Sequence, residues 1–116
     1  MTEERSRLVA FADASLKEAF LELQNGKFEE KQLAESIQKA IGELKQDPFA
    51  GVAIPRKLWP KEYVKKFGID NLRKLNLRDG WRLIYTLQGS QVEIVSIILE
   101  WFSHKDYEKR FKYKVK

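Results

Sequence analysis

His104 is the chain's single histidine and so the only side chain whose ordinary pKa, about 6.5, lies close to neutrality. It stands where a helix is expected to begin, and Tyr107 follows three residues later on the same helix face. An imidazole there can serve as general acid, and the phenol can orient it or stack on a nucleobase. Arg82 sits between Trp81 and Leu83 in a strand-like stretch. Its side chain is therefore expected on the face opposite Trp81, Leu83, Tyr85 and Leu87. Its planar, permanently charged fork matches phosphate oxygens. Proton transfer beside a phosphate-binding cation is the chemistry these residue types allow. Each also has a plainer reading: a first-turn histidine with no partner, a tyrosine packed on Phe111, a solvated charge on an open sheet face.

The elements that must position these groups follow from periodicity. Residues 7–12 suit a short first strand. Asp13 or Ser15 opens a helix, with Ser15 and Glu18 at capping-box spacing and Leu16, Ala19, Phe20 and Leu23 on one side. Asn25-Gly26 ends it, and a second helix is expected over about 29–45, with Leu33, Ile37, Ala40, Ile41 and Leu44 on one face. Asp47-Pro48 stops that helix. Residues 51–60 read as a loop, 61–67 as a short helix with Pro60 in its first turn and closed by Gly68, and 71–77 as a strand. Asp79-Gly80 signals a hairpin into a strand over 81–87, and Gly89-Ser90 a second turn. Residues 92–101 are apolar on both faces, as a central strand should be. Ser103 caps a final helix. The order implies one α+β domain over 1–116: an N-terminal strand and helical hairpin packed on one face of a small twisted antiparallel sheet, with a C-terminal helix.

Composition narrows the function classes. The absence of cysteine excludes disulfides, thiolate metal sites and thiol nucleophiles, and one histidine leaves no closed zinc site. No metal or other cofactor is expected. No stretch approaches the ~20 apolar residues that cross a bilayer, and the amino terminus is acidic, unlike a signal peptide. A soluble, cytoplasmic protein is expected. The net charge of +5 is unevenly divided: residues 1–50 carry seven basic and ten acidic side chains, residues 51–116 fifteen and seven. A polyanion-binding surface in the second half explains this, and so does a lysine-rich solvated exterior.

The run Arg73-Lys-Leu-Asn-Leu-Arg-Asp-Gly-Trp-Arg-Leu-Ile-Tyr85 is followed by an apolar strand and then by His104 and Tyr107. In this order and spacing the chain resembles the RelE/ParE superfamily of toxins from type II toxin–antitoxin pairs. Pro48-Phe-Ala-Gly51, Pro55 and Leu58 are similar to the loop before the sheet in YoeB-like members. The resemblance implies a toxin with a cognate antitoxin, a possible toxin–antitoxin hetero-oligomer, and either of two targets. RelE-like members cut mRNA on the ribosome without metal, whereas ParE-like members inhibit DNA gyrase. It also implies residue roles: Arg82 as the phosphate-contacting arginine, Lys74 as one of the family's basic residues, and His104 as the histidine that many ParE- and YoeB-like members carry at the start of the final helix, with Tyr107 beside it. Arg73, Arg78, Arg56, Lys57 and Lys105 are the further cations expected on RNA.

Two positions depart from that pattern. Asn76 falls where a second lysine is common, and Arg56 replaces the glutamate that serves as base in YoeB-like loops; an arginine cannot be a base at neutral pH. Glu62 and Glu100 are the candidate substitutes; without either, catalysis follows the RelE pattern of basic residues with no carboxylate, or turnover is weak. The leading expectation is an mRNA endonuclease. Its rivals are a topoisomerase inhibitor without nuclease activity and a degenerate member that binds RNA harmlessly. A cationic face that binds RNA should release counterions and so bind less tightly as salt rises.

Overall fold

Alternating exposure along Ser6–Phe11 makes a strand, β1. The computed structural model describes residues 5–111. Asp13 ends β1's run by accepting the Leu16 backbone N–H at 2.9 Å, which caps α1 (Ala14–Gln24). The cap is Asp13, and the Ser15 hydroxyl donates to it at 3.0 Å; no Ser15–Glu18 capping box forms. α2 follows as Phe28–Gln46, its first turn carrying Glu29 and Glu30 where the helix dipole favours negative charge. The expected loop contains a two-residue strand, β2 (Val52–Ala53), and a 3-10 turn at Arg56–Leu58. Pro60 stands just before α3 (Lys61–Phe67) rather than within it, and Gly68 ends that helix at φ 60°, a left-handed conformation that glycine adopts without strain. β3 (Arg73–Asn76), β4 (Arg82–Gly89) and β5 (Glu93–Phe102) form the meander, and α4 (His104–Phe111) closes the described chain.

The five strands lie in the order β1-β5-β4-β3-β2. β1 runs parallel to β5, so the sheet is mixed rather than wholly antiparallel. Parallel neighbours need a long crossover, and everything from α1 to β4 supplies it.

β5 explains why the helices do not share one face. Ile98 belongs to a core with Phe20, Leu33, Ile37, Leu44, Leu75, Leu83 and Tyr85, under α1 and α2. Leu99 belongs to a second core with Ile54, Tyr63, Leu72, Ile84, Tyr107 and Phe111, under α3 and α4. A strand apolar on both sides leaves both to be covered, and the expectation of helices on one face is corrected accordingly. A β-bulge sits between the two cores. Ile84 pairs with Glu100 and Tyr85 with Ile98, so Leu99 has no opposite residue. The extra residue shifts the alternation, and Glu100 turns to the α3 side instead of following Ile98.

The segment before β2 is fastened to the sheet by one phenol. The Tyr85 hydroxyl donates to the Pro48 carbonyl at 2.8 Å and accepts the Gly51 N–H at 3.0 Å. Arg73 Nε donates to the same oxygen at 3.3 Å. A Cβ on Gly51 would lie 2.3 Å from the Lys74 carbonyl oxygen, so only glycine permits this approach. Among the described residues no helix is long and apolar enough to cross a membrane.

Two measurements test this packing. Tyr85→Phe strips Gly51 and Arg73 of a shared buried acceptor, and about 1–3 kcal/mol of stability should be lost. An unchanged urea midpoint with unchanged slope would show that the latch contributes nothing. Asp13 is the second case. The Leu16 N–H and the Ser15 hydroxyl hold its carboxyl below the ordinary range. Because its folded pKa is depressed, its charge stabilises the fold above the unfolded value of about 3.9, and that contribution disappears as pH falls through the folded pKa. Asp13→Asn keeps an acceptor without the charge. Its stability should trail the parent's at pH 7 and converge with it in acid; a gap constant across urea titrations from pH 7 to 3 would refute the assignment.

Candidate functional site at the start of the last helix

Asp79 and Gly80 turn the chain from β3 to β4 with φ of 57° and 80°, as the Asp-Gly pair signals. This turn packs against α4: a Cβ on Gly80 would lie 3.1 Å from the His104 Cβ. Arg82 is the first residue of β4, opposite Asn76 on β3 and Phe102 on β5. His104 is the first residue of α4, where the Ser103 hydroxyl accepts the Asp106 N–H at 3.2 Å, the expected cap. The turn and the cap together bring the arginine and the histidine to one corner.

One Arg82 Nη donates to the Gly80 carbonyl. The other lies 3.3 Å from His104 Nδ1. On the far side of the imidazole, Nε2 lies 3.3 Å from a Glu108 carboxylate oxygen. These two contacts assign the tautomer. A guanidinium only donates, so in the neutral ring both contacts are hydrogen bonds only when Nδ1 offers its lone pair and the ring proton resides on Nε2, facing Glu108. The ring is thus oriented by a carboxylate while its basic nitrogen looks toward a cation. Glu108 is absent from the sequence-based set. Its signal was available: the spacing His104-x-x-x-Glu108 places the two on one helix face.

Tyr107 occupies the centre of the cluster but not as a platform. It is 2% exposed, with its ring 4.7 Å from that of Phe111. The Lys74 ammonium lies 4.9 Å and the Arg82 guanidinium 5.5 Å from its ring centroid. The expectation that Tyr107 stacks on a base is corrected here. Its ring is core, and the two cations rest on it through the attraction between positive charge and the π-face.

Arg82, His104, Lys74 and Tyr107 are therefore brought together; the remaining expected cations disperse. Arg73 alternates to the opposite face, where it donates to the Phe49 and Gly51 carbonyls at 3.2 and 2.6 Å and joins the Tyr85 latch. Its expected place on RNA is corrected to a structural one. Arg78 lies at the α2 side of the hairpin, its N–H bonded to the Ser36 hydroxyl and its side chain 3.5 Å from Asp79. Lys105 is exposed beside His104. Arg56 stacks over Trp59 at 4.5 Å, and Lys57 is exposed next to it.

The two substitute carboxylates are engaged elsewhere. Glu100 accepts a short hydrogen bond from the Tyr63 hydroxyl. Burial first, and the Glu100 carboxylate second, push that phenol far above the usual tyrosine range, so it stays a donor. Glu62 pairs with Arg110 at 3.3 Å. Both line a cleft of about 480 Å³ between α1 and α3 that does not include Arg82 or His104.

The assigned tautomer is directly measurable. Long-range ¹H–¹⁵N spectra near pH 8 should show His104 protonated at Nε2, and Glu108→Ala should shift the population toward the other tautomer. A parent spectrum dominated by Nδ1–H would show that this nitrogen accepts nothing from Arg82.

An independent comparison identifies the family. Residues 10–99, most of the chain, match the family described as ParE toxin of type II toxin-antitoxin system, parDE. Comparisons with curated proteins and with solved structures gave no match. The chain belongs to this family of ParE toxins, within the RelE/ParE superfamily.

Proposed function

We propose that this toxin cuts RNA at the Arg82–His104 corner, with the cognate antitoxin that its family implies as its inhibitor. The observation that carries the reading is the 3.3 Å approach of His104 Nδ1 to the Arg82 guanidinium. It sets a proton acceptor beside a phosphate ligand. When the Arg82 guanidinium turns to the phosphate it releases His104 Nδ1, which then takes the proton of a ribose 2′-hydroxyl, and the resulting imidazolium is held by Glu108. The freed oxygen attacks the adjacent phosphorus, the bond to the 5′-oxygen breaks, and the products are a 2′,3′-cyclic phosphate and a 5′-hydroxyl. Lys74 gives the leaving oxygen its proton. Arg82 faces the phosphate oxygens as charge builds there. Tyr107 positions both cations by supplying the face on which they rest. His104 is 57% exposed, so the corner is an open shelf suited to a macromolecular substrate such as mRNA in the ribosome.

A second reading has its own support: inhibition of a topoisomerase such as DNA gyrase. The family description pairs the chain with ParE, and the stacking platform expected of a nuclease is buried.

Mapping mRNA 5′ ends in cells after induction separates them. The parent should produce discrete new ends bearing 5′-hydroxyls. His104→Ala should reduce them by about 10²–10⁴-fold, the usual range for a lost acid–base group. Arg82→Lys keeps the charge but loses the fork, and should fall between Arg82→Ala and the parent. Growth arrest without new ends, together with blocked supercoiling by the purified protein, would establish the second reading instead.

A further inference from the structure

A concavity of about 620 Å³ lies where the 3-10 turn, α3 and the end of α4 meet, lined by Lys57, Trp59, Lys61, Lys65, Arg110 and Phe111 among others. Its one carboxylate, Glu62, is already paired with Arg110 at 3.3 Å. Lys57, Lys61 and Lys65 are exposed, and no ion pair engages any of them among the described residues. Lys61 and Lys65 stand one turn apart on the same helix, an arrangement of like charges that destabilises a helix on its own. Arg56 adds a fourth cation at the edge, fixed by its stack on Trp59. The exposed lysines of α2, by contrast, are interspersed with Glu29, Glu30, Glu35 and Glu43. Unneutralised positive charge gathered in one depression lacks a counter-charge from within the protein.

α4 connects this depression to the corner described above. His104 begins the helix and Arg110 is six residues on, about 9 Å along the axis at 1.5 Å per residue. A strand whose reactive phosphate rests between Arg82 and His104 can follow α4 and lay neighbouring phosphates against Lys57, Lys61 and Lys65. We propose that this groove is a second binding site, for the sugar-phosphate backbone of single-stranded RNA flanking the cleavage point. The inference rests on the RNA-cutting reading for the identity of its polyanion. Lysine suits such a groove, because its ammonium is a mobile point charge that neutralises irregularly spaced phosphates without demanding one geometry. Sequence is not read there, only charge.

The test uses the full chain and a fluorescein-labelled oligouridylate, which has no structure of its own. Binding is measured in a His104→Ala background so that the strand stays intact, with thermal melts confirming folding. Lys57→Gln/Lys61→Gln/Lys65→Gln should weaken binding at least tenfold at ~0.1 M salt, and should lower the slope of log affinity against log salt by about 2, since each single-strand phosphate contact contributes about 0.7. Lys31→Gln/Lys39→Gln/Lys45→Gln on α2 removes the same charge and should change affinity less than twofold. Equal effects from the two triplets, or an unaltered salt slope, would overturn the proposal. So would a groove variant that keeps RNA binding and loses its antitoxin, because the occupant would then be an acidic peptide. Failures of the two readings look different. A groove variant that loses RNA, in a protein that leaves mRNA intact, refutes cleavage and keeps the groove. One that binds and cuts like the parent refutes the groove and keeps cleavage.

Discussion

The contact of Tyr107 with the second face of the sheet is the constraint on which the Arg82–His104 corner depends. Lys74 and Arg82 project from adjacent strands toward the same space, and two cations so close repel one another. The π-face of a fully buried tyrosine offsets that repulsion at two positions at once. The ring is itself fixed by Phe111, one turn later on the same helix, and Phe111 by Phe102 and Tyr63 in edge-on contacts. Burial of these rings holds α4 against β5, and the position of α4 places His104. Electrostatics at the corner is thus a consequence of aromatic packing beneath it.

This arrangement needs a sheet covered on both sides, and the bulge at Leu99 makes the second side usable. In an unbroken alternation Glu100 would point with Ile98 into the α1–α2 core, where a carboxylate has no compensating donor and burial is costly. One inserted residue turns it to Tyr63 instead. The same shift leaves Trp101 with the first core and Phe102 with the second. The carboxylate so placed is bonded to a phenol across the α3 side, and the corner at Arg82 is left rich in cations, with Glu108 as the acid that touches the imidazole.

Much of this was legible from residue types and spacing. The amphipathic stripe Leu33, Ile37, Ala40, Leu44 identified α2 within a residue at either end, and Asp-Gly identified the turn that presents Arg82. Alternation about Trp81–Leu87 placed Arg82 opposite Leu83 and Tyr85 correctly, since alternation depends only on the pleat. What sequence withheld was distance-dependent. β2 has two residues, too few for a period, and exists because Tyr85 and Arg73 draw the preceding loop onto β3. Arg73 and Lys74 look equivalent in a basic run, yet neighbouring strand residues face opposite sides, so one became a latch and the other a member of the corner. Tyr107 has an amphipathic side chain that serves equally at a surface or in a core. Only the presence of Phe111 and Tyr63 around it decides which.

The uneven charge of the chain acquires a spatial meaning in this fold. The acidic first half forms the hairpin of α1 and α2 over one face, and the basic second half supplies β3, β4, α3 and α4. The sheet separates them. A toxin whose positive charge were spread evenly would attract polyanions on every side and bind them in many registers. The exposed lysines Lys61, Lys65, Lys66, Lys105 and Lys109 all stand on α3 or α4, so under the proposed reading a phosphate chain meets that side first, while the carboxylates on α2 discourage the other. Under the proposed RNA-cutting reading, long-range charge selects the face, and the fixed geometry of Arg82 with His104 selects the phosphate.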